Sequence, residues 1–154
     1  MAKTIADRFI WVVDRLAAAS SDRLLEIGCG NGTAVEKMIH LAKRNNADHI
    51  SAGKVSFVHA ALHEADLGQS RFSKIFAVNV NLFWMNAARE LEIIKERLLP
   101  EGAVYLFNYP PAAAKLRYIT ERMSLNLLNA GLEIKHIFIH DKNPGVCIVS
   151  AIKE

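Results

Sequence analysis

Between Asp22 and Gly32 the chain reads D-R-L-L-E-I-G-C-G-N-G, an apolar run that enters three alternating glycines. Leu24, Leu25 and Ile27 suit a short strand buried on both faces. Gly28, Gly30 and Gly32 permit positive φ and keep Cβ atoms out of a ligand's way. From Thr33 to Met38 the pattern turns helix-compatible. Strand, glycine turn and helix start, in that order, build a pocket in which backbone N–H groups meet a ligand at the carboxyl end of a parallel strand. One glycine would serve a plain turn, and the acid at the strand end, Glu26, carries a desolvation cost without a partner. A ligand explains the run better than a tight turn does.

The spacing then narrows the ligand. A dinucleotide fingerprint, G-x-G-x-x-G, places its third glycine where this chain has Thr33, and Gly32 falls one residue early, which disfavours a nicotinamide cofactor. With Glu26 two places before the first glycine, E-I-G-C-G-N-G resembles the first motif of the class I methyltransferases that use S-adenosylmethionine. The resemblance implies that Glu26, Gly28, Cys29, Gly30, Asn31 and Gly32 lie against the methionine portion and ribose of that cofactor, whose product form is S-adenosylhomocysteine. Cys29 reads as a small loop filler rather than a nucleophile.

At 154 residues the chain is one domain by length, residues 1–154, with a core large enough to need no staples. Its net charge of +3 is mild and its basic residues are scattered, so no nucleic-acid or membrane footprint stands out. Cys29 and Cys147 have neither metal spacing nor the look of a disulfide framework, and no metal site is expected. A reduced, cytoplasmic setting is the expectation, and the charged N-terminal segment lacks the apolar core of a signal peptide.

Apolar residues at Ile5, Phe9, Val12, Val13 and Leu16 predict an amphipathic helix over residues 3–19. Phe9 and Trp11 on it read as core or interface rather than ligand walls. Residues 33–52 predict a helix capped by Gly53, and 54–60 a strand. A polar connection, a strand over 74–80, a helix over 84–99 closed by Pro100-Glu101-Gly102, and a strand over 103–108 follow. A helix over 112–130 is then predicted, with Leu116, Ile119, Met123 and Leu127 buried, and β-rich runs on either side of D-K-N-P-G predict a terminal antiparallel hairpin. Alternation of this kind predicts an α/β fold with a mainly parallel sheet. The segments K-M-I-H-L-A-K-R-N, A-D-L-G-Q-S-R-F-S-K-I-F-A-V-N-V-N-L-F-W and L-L-P-E-G-A-V-Y-L-F-N resemble later parts of small bacterial class I enzymes in the same order, implying a Rossmann-like three-layer sandwich.

One part of that pattern is absent. The acid that would hold the ribose belongs ~20 residues past the glycine loop, where the chain reads A-D-H-I-S-A-G, with Asp48 in a polar helix pattern rather than at a strand end. The resemblance also jumps from the start of the family's first helix to its second. It therefore implies a truncated form, shortened by one βα unit at one edge, on the order of twenty residues.

Methyl transfer requires chiefly alignment of nucleophile, methyl carbon and leaving sulfur, so no catalytic residue is assigned. The pocket expected at the strand carboxyl ends brings Ala60, Ala61, Asn79 and Asn81 beside the glycines. Where the family often has an adenine-binding Asp, this chain has Ala60 and Ala61. Asn79-Val80-Asn81-Leu82 lies where enzymes that methylate exocyclic amines carry a proline-rich motif, and its prolines and tyrosine are missing. Strand-end capping is an even alternative for both asparagines. Trp84 reads as core at least as readily as a stacking surface. His59 and His63 are minor candidates for a base, and His136 and His140, four apart in a presumed strand, are too distant for a metal pair. Three functions remain from sequence: a methyltransferase acting on a small molecule, a degenerate relative that acts by self-association or on a partner, and, disfavoured by the glycine spacing, a nucleotide-binding oxidoreductase. The shortened edge favours pairing with a second copy. Sedimentation over a wide concentration range is expected to show a homodimer, and a concentration-independent monomer mass would contradict this.

Overall fold

The computed structural model describes residues 2–19, 21–28 and 61–154. The helix expected over 33–52 and the strand expected over 54–60 lie outside the described residues, as does the pairing of that edge.

The chain opens with helix α1 (Ala2–Leu16), which buries Phe9, Val12 and Leu16 at helical spacing. Strand β1 (Leu24–Ile27) and strand β2 (Phe72–Val78) pair in parallel, Leu24 opposite Lys74 and Ile27 opposite Ala77. Helix α2 (Ala88–Arg97) crosses to strand β3 (Leu98–Asn108), which pairs in parallel with β2. Helix α3 (Leu116–Asn129) precedes the hairpin of β4 (Leu132–Ile139) and β5 (Val146–Ile152). The sheet order is β1-β2-β3-β5-β4, with β5 antiparallel to both its neighbours.

Alternation along the strands sorts the core into two layers. Ile27, Ile75, Ala77, Val104, Leu106 and Ile148 face Leu91 and Ile94 of α2 and Ile119, Met123 and Leu127 of α3. Phe76, Phe107, Cys147 and Val149 face Phe9, Val12 and Leu16 of α1. The result is the three-layer α/β arrangement that the sequence predicts.

A polar junction fastens α1 to the sheet. Lys74 Nζ lies 3.1 Å from Asp22 Oδ2 and donates to the Ala17 carbonyl at the end of α1, also at 3.1 Å. Asp22 Oδ2 accepts from the Ala19 N–H at 2.8 Å, and its Oδ1 accepts from Ser73 Oγ at 2.9 Å. Burial pushes the Asp22 pKa up, but the bonds from Ala19, Ser73 and Lys74 outweigh it and hold the carboxyl below its ordinary value.

Several boundaries differ from expectation, each for a visible reason. The strand predicted over 74–80 runs from Phe72 to Val78, because Asn79 turns the chain with φ +56. The helix predicted from Trp84 starts at Ala88: Asn126 Nδ2 donates to the Phe83 carbonyl at 2.9 Å, removing an acceptor a longer helix would use, and Asn81–Phe83 forms a 3-10 turn instead. Pro100-Glu101-Gly102 lies inside β3, where the register jumps from Phe72 opposite Leu98 to Lys74 opposite Ala103 and Glu101 adopts φ +66. The helix predicted from Ala112 begins as a 3-10 turn at Ala113–Lys115, and Leu116 is only partly buried.

Leu127 is fully buried between α3 and the sheet, whereas Ile137 on β4 is exposed. Leu127→Ala is expected to cost about 2–5 kcal/mol in urea unfolding, and Ile137→Ala about 0.5 kcal/mol or less. Equal costs would contradict this assignment of the core.

Candidate cofactor site

The parallel strands β1, β2 and β3 end together at one edge of the sheet, where a ligand crevice of such a fold is expected. Glu26 stands opposite Phe76 and so shares the sheet face that α1 covers. It is partly buried, and that burial pushes its pKa up to about 7. Gly28 follows with φ +73, and a Cβ there would lie 2.6 Å from Val80 Cγ2. Only glycine lets the chain pass Val80 in this conformation, so the turn after β1 packs directly on the segment after β2.

Asn79 sits at the end of β2. Its N–H donates to the Phe107 carbonyl at 2.9 Å, and its Oδ1 accepts from the Tyr109 N–H at 2.7 Å. Its side chain thus ties the ends of β2 and β3 together, the capping role that was one of its two readings. Asn81 is engaged locally, its Oδ1 accepting from the Trp84 indole N–H at 3.2 Å. Ala61 is exposed and precedes a 3-10 turn at Leu62–Glu64. Cys29, Gly30, Asn31, Gly32, His59 and Ala60 lie outside the described residues. Glu26, Gly28 and Asn79 therefore fall on adjacent strand ends, while Asn81 is turned toward Trp84.

A cleft of about 190 Å³ opens at these ends, lined by Arg8, Phe9, Val12, Val78, Asn79 and Tyr109. Arg8 and Tyr109 escape the sequence reading. A lone arginine on an amphipathic helix carries no motif, and Tyr109 is flagged only by following a parallel strand. Trp11 is core as expected, edge-on to Phe107 at 5.8 Å and to His140 at 4.9 Å. Phe9 belongs to the same core and also forms a wall of the cleft. Burial pushes the Tyr109 hydroxyl well above its ordinary pKa, so it stays protonated.

Other candidates separate from the site. His63 is exposed, with Nε2 3.5 Å from Glu64 Oε1. His136 is exposed and stacks on Phe138, whereas His140 lies past the end of β4, buried, its Nδ1 accepting the N–H groups of Lys142 and Asn143 at 3.0 Å. β4 ends at Ile139, so only His136 of the two histidines stands on the strand. Trp84 is partly buried and meets Tyr118 edge-on at 6.3 Å. Burial raises the Cys147 thiol to about 12, which leaves it inert. Among the described residues there is no group of three potential metal ligands, and no helix long and apolar enough to cross a membrane.

No family model matches the chain, and no curated protein matches it. Solved structures do. The glycopeptide N-methyltransferase MtfA complexed with S-adenosyl-L-methionine superposes with a TM-score of 0.71 at 11% identity, over 95% of this chain and 87% of that one. The fold is that of the S-adenosylmethionine-dependent methyltransferases. The CcbJ methyltransferase from Streptomyces caelestis gives a TM-score of 0.66 at 16% identity, covering 97% of this chain and 90% of that one. An S-adenosylmethionine-dependent methyltransferase from Mesorhizobium loti gives 0.61 at 14% identity, over 92% and 97% of the two chains. In this methyltransferase fold, the described part of the glycine turn holds a partly buried acid and, at Gly28, a passage so close to Val80 that a Cβ would clash.

With its pKa raised from 4.5 to about 7, Glu26 binds a proton more tightly in the folded chain than in the unfolded one. It favours folding fully below the unfolded value, and that contribution disappears as pH rises through about 7. In urea unfolding between about pH 4 and pH 8, the wild type is expected to lose on the order of 3 kcal/mol more stability than Glu26→Gln, at about 1.4 kcal/mol per pKa unit. Parallel pH profiles would contradict the burial of Glu26.

Proposed function

We propose that this chain is an S-adenosylmethionine-dependent methyltransferase acting on a small molecule. The observation that carries the reading is the pairing of Glu26 with Gly28 at the carboxyl end of β1, in a chain with the methyltransferase fold. Bound S-adenosylmethionine supplies an electrophilic methyl group on a sulfonium. The Glu26 carboxylate would accept hydrogen bonds from the cofactor, and Gly28 with Cys29, Gly30, Asn31 and Gly32 would offer backbone N–H groups and room for close approach. Asn79 would hold the adjoining strand ends in place, with Ala60, Ala61 and Asn81 bordering the same crevice. The acceptor would sit over β2 and β3, and its own lone pair would be the nucleophile.

A second reading has one specific feature in its favour: in A-D-H-I-S-A-G, where the ribose partner belongs, the sequence places its acid, Asp48, in a polar helix pattern. On that reading the protein keeps the fold without holding the cofactor and acts through self-association or a partner.

Calorimetric titration with S-adenosylhomocysteine separates the two. Micromolar binding, weakened about tenfold or more by Glu26→Ala, is the expected result. No binding at millimolar concentration would establish the degenerate reading, and binding of NAD in its place would overturn the cofactor assignment.

A further inference from the structure

We propose that the cleft between α1 and the carboxyl ends of β2 and β3 is the acceptor site, and that it takes a single-ring carboxylate held by Arg8. This rests on the methyltransferase reading above and names its substrate class.

The position follows from the sheet. The glycine turn leaves β1, while the cleft opens one strand over, above Val78, Asn79 and Tyr109. Adjacent strands lie about 4.8 Å apart, so a ligand on the turn and a ring in the cleft would be immediate neighbours. Contact between Gly28 and Val80 fixes the two compartments against each other.

The chemistry follows from Arg8. Its Nε is buried and has no hydrogen-bond partner, and among the described residues Arg8 forms no ion pair. Its guanidinium lies over the Tyr109 ring, 4.9 Å from the centroid, an arrangement that covers one face of the fork and leaves its edge donors for an incoming group. A planar fork of N–H donors without an ionic partner among the described residues is matched best by a carboxylate, which accepts two parallel hydrogen bonds from its terminal nitrogens.

The size and walls set the rest of the ligand. Phe9, Val12 and Val78 are apolar, and Tyr109 contributes an aromatic surface. A cavity of about 150 Å³ accommodates benzene, so the roughly 190 Å³ here suits one ring bearing a small polar group. The Tyr109 ring is held in advance of any ligand. Its N–H is bonded to Asn79, its hydroxyl donates to the Arg8 carbonyl at 3.4 Å, and Gly145 lies so close beneath that any Cβ there would strike the ring. Trp11 and His140 meet it edge-on, each at 5.9 Å. A rigid wall of this kind binds without a further ordering cost.

The test titrates benzoate and its uncharged isostere benzamide into the full chain, with and without S-adenosylhomocysteine, following amide shifts by NMR. Benzoate is expected to bind saturably and about tenfold or more tighter than benzamide. Arg8→Gln should remove that preference while changing S-adenosylhomocysteine affinity less than about twofold. Equal binding of the two ligands, or no benzoate binding at millimolar concentration, overturns the proposal without recourse to any variant. A loss of S-adenosylhomocysteine affinity in Arg8→Gln overturns it too, since Arg8 would then serve the cofactor. Arg8-dependent benzoate binding with no S-adenosylhomocysteine binding would uphold the carboxylate site and remove the methyltransferase reading.

Discussion

The structure depends most on the junction of Asp22 with Lys74. Three segments meet there, the end of α1 and the starts of β1 and β2, and a single ammonium group serves the Asp22 carboxylate and the Ala17 carbonyl. Both charges are largely withdrawn from water, so either one left alone would be strongly unfavourable. The pair tethers the C-terminal end of α1 to the sheet, and Phe9, Val12 and Leu16 pack the helix along it. Arg8, nearer the start of the helix, meets Tyr109 just past the end of β3.

At that carboxyl edge the backbone itself takes unusual paths. Gly28 and Asn79 both adopt positive φ, one after β1 and the other after β2. Each is a residue type that tolerates this conformation. Asn79 lines the cleft and spends its side-chain carbonyl on the Tyr109 N–H rather than on a ligand. The two asparagines of N-V-N-L therefore work as framework, while the charged side chain lining the cleft, Arg8, comes from α1.

Sequence periodicity carried the strands of the sheet, the layers and the hairpin, because those elements are set by which residues must be buried and by local turn chemistry. Helix α2 was the least legible at its start. The Phe83 carbonyl is taken by Asn126, a residue of α3, and a partner that distant leaves no trace in a local pattern. His140, expected in a strand with His136, lies just past the end of β4, where its Nδ1 accepts the N–H groups of Lys142 and Asn143, a contact that the apolar run L-E-I-K-H-I-F-I-H does not reveal. For the site, glycine spacing and Glu26 were readable because their chemistry is local. Arg8 was not, since its meaning arises only when α1 packs across Val78 and Tyr109. Resemblance to solved methyltransferases at 10–17% identity agrees with this division: the fold persists where the sequence signal has largely faded.

The proposed cofactor site lies at the carboxyl ends of β1 and β2. An amide-resolved NMR titration with S-adenosylhomocysteine tests it most directly, because it reports where the ligand sits. The largest shifts are expected on Glu26 to Gly28 and on Asn79 to Asn81. Shifts confined to the β4–β5 hairpin or to the face of the sheet covered by α2 and α3 would contradict it.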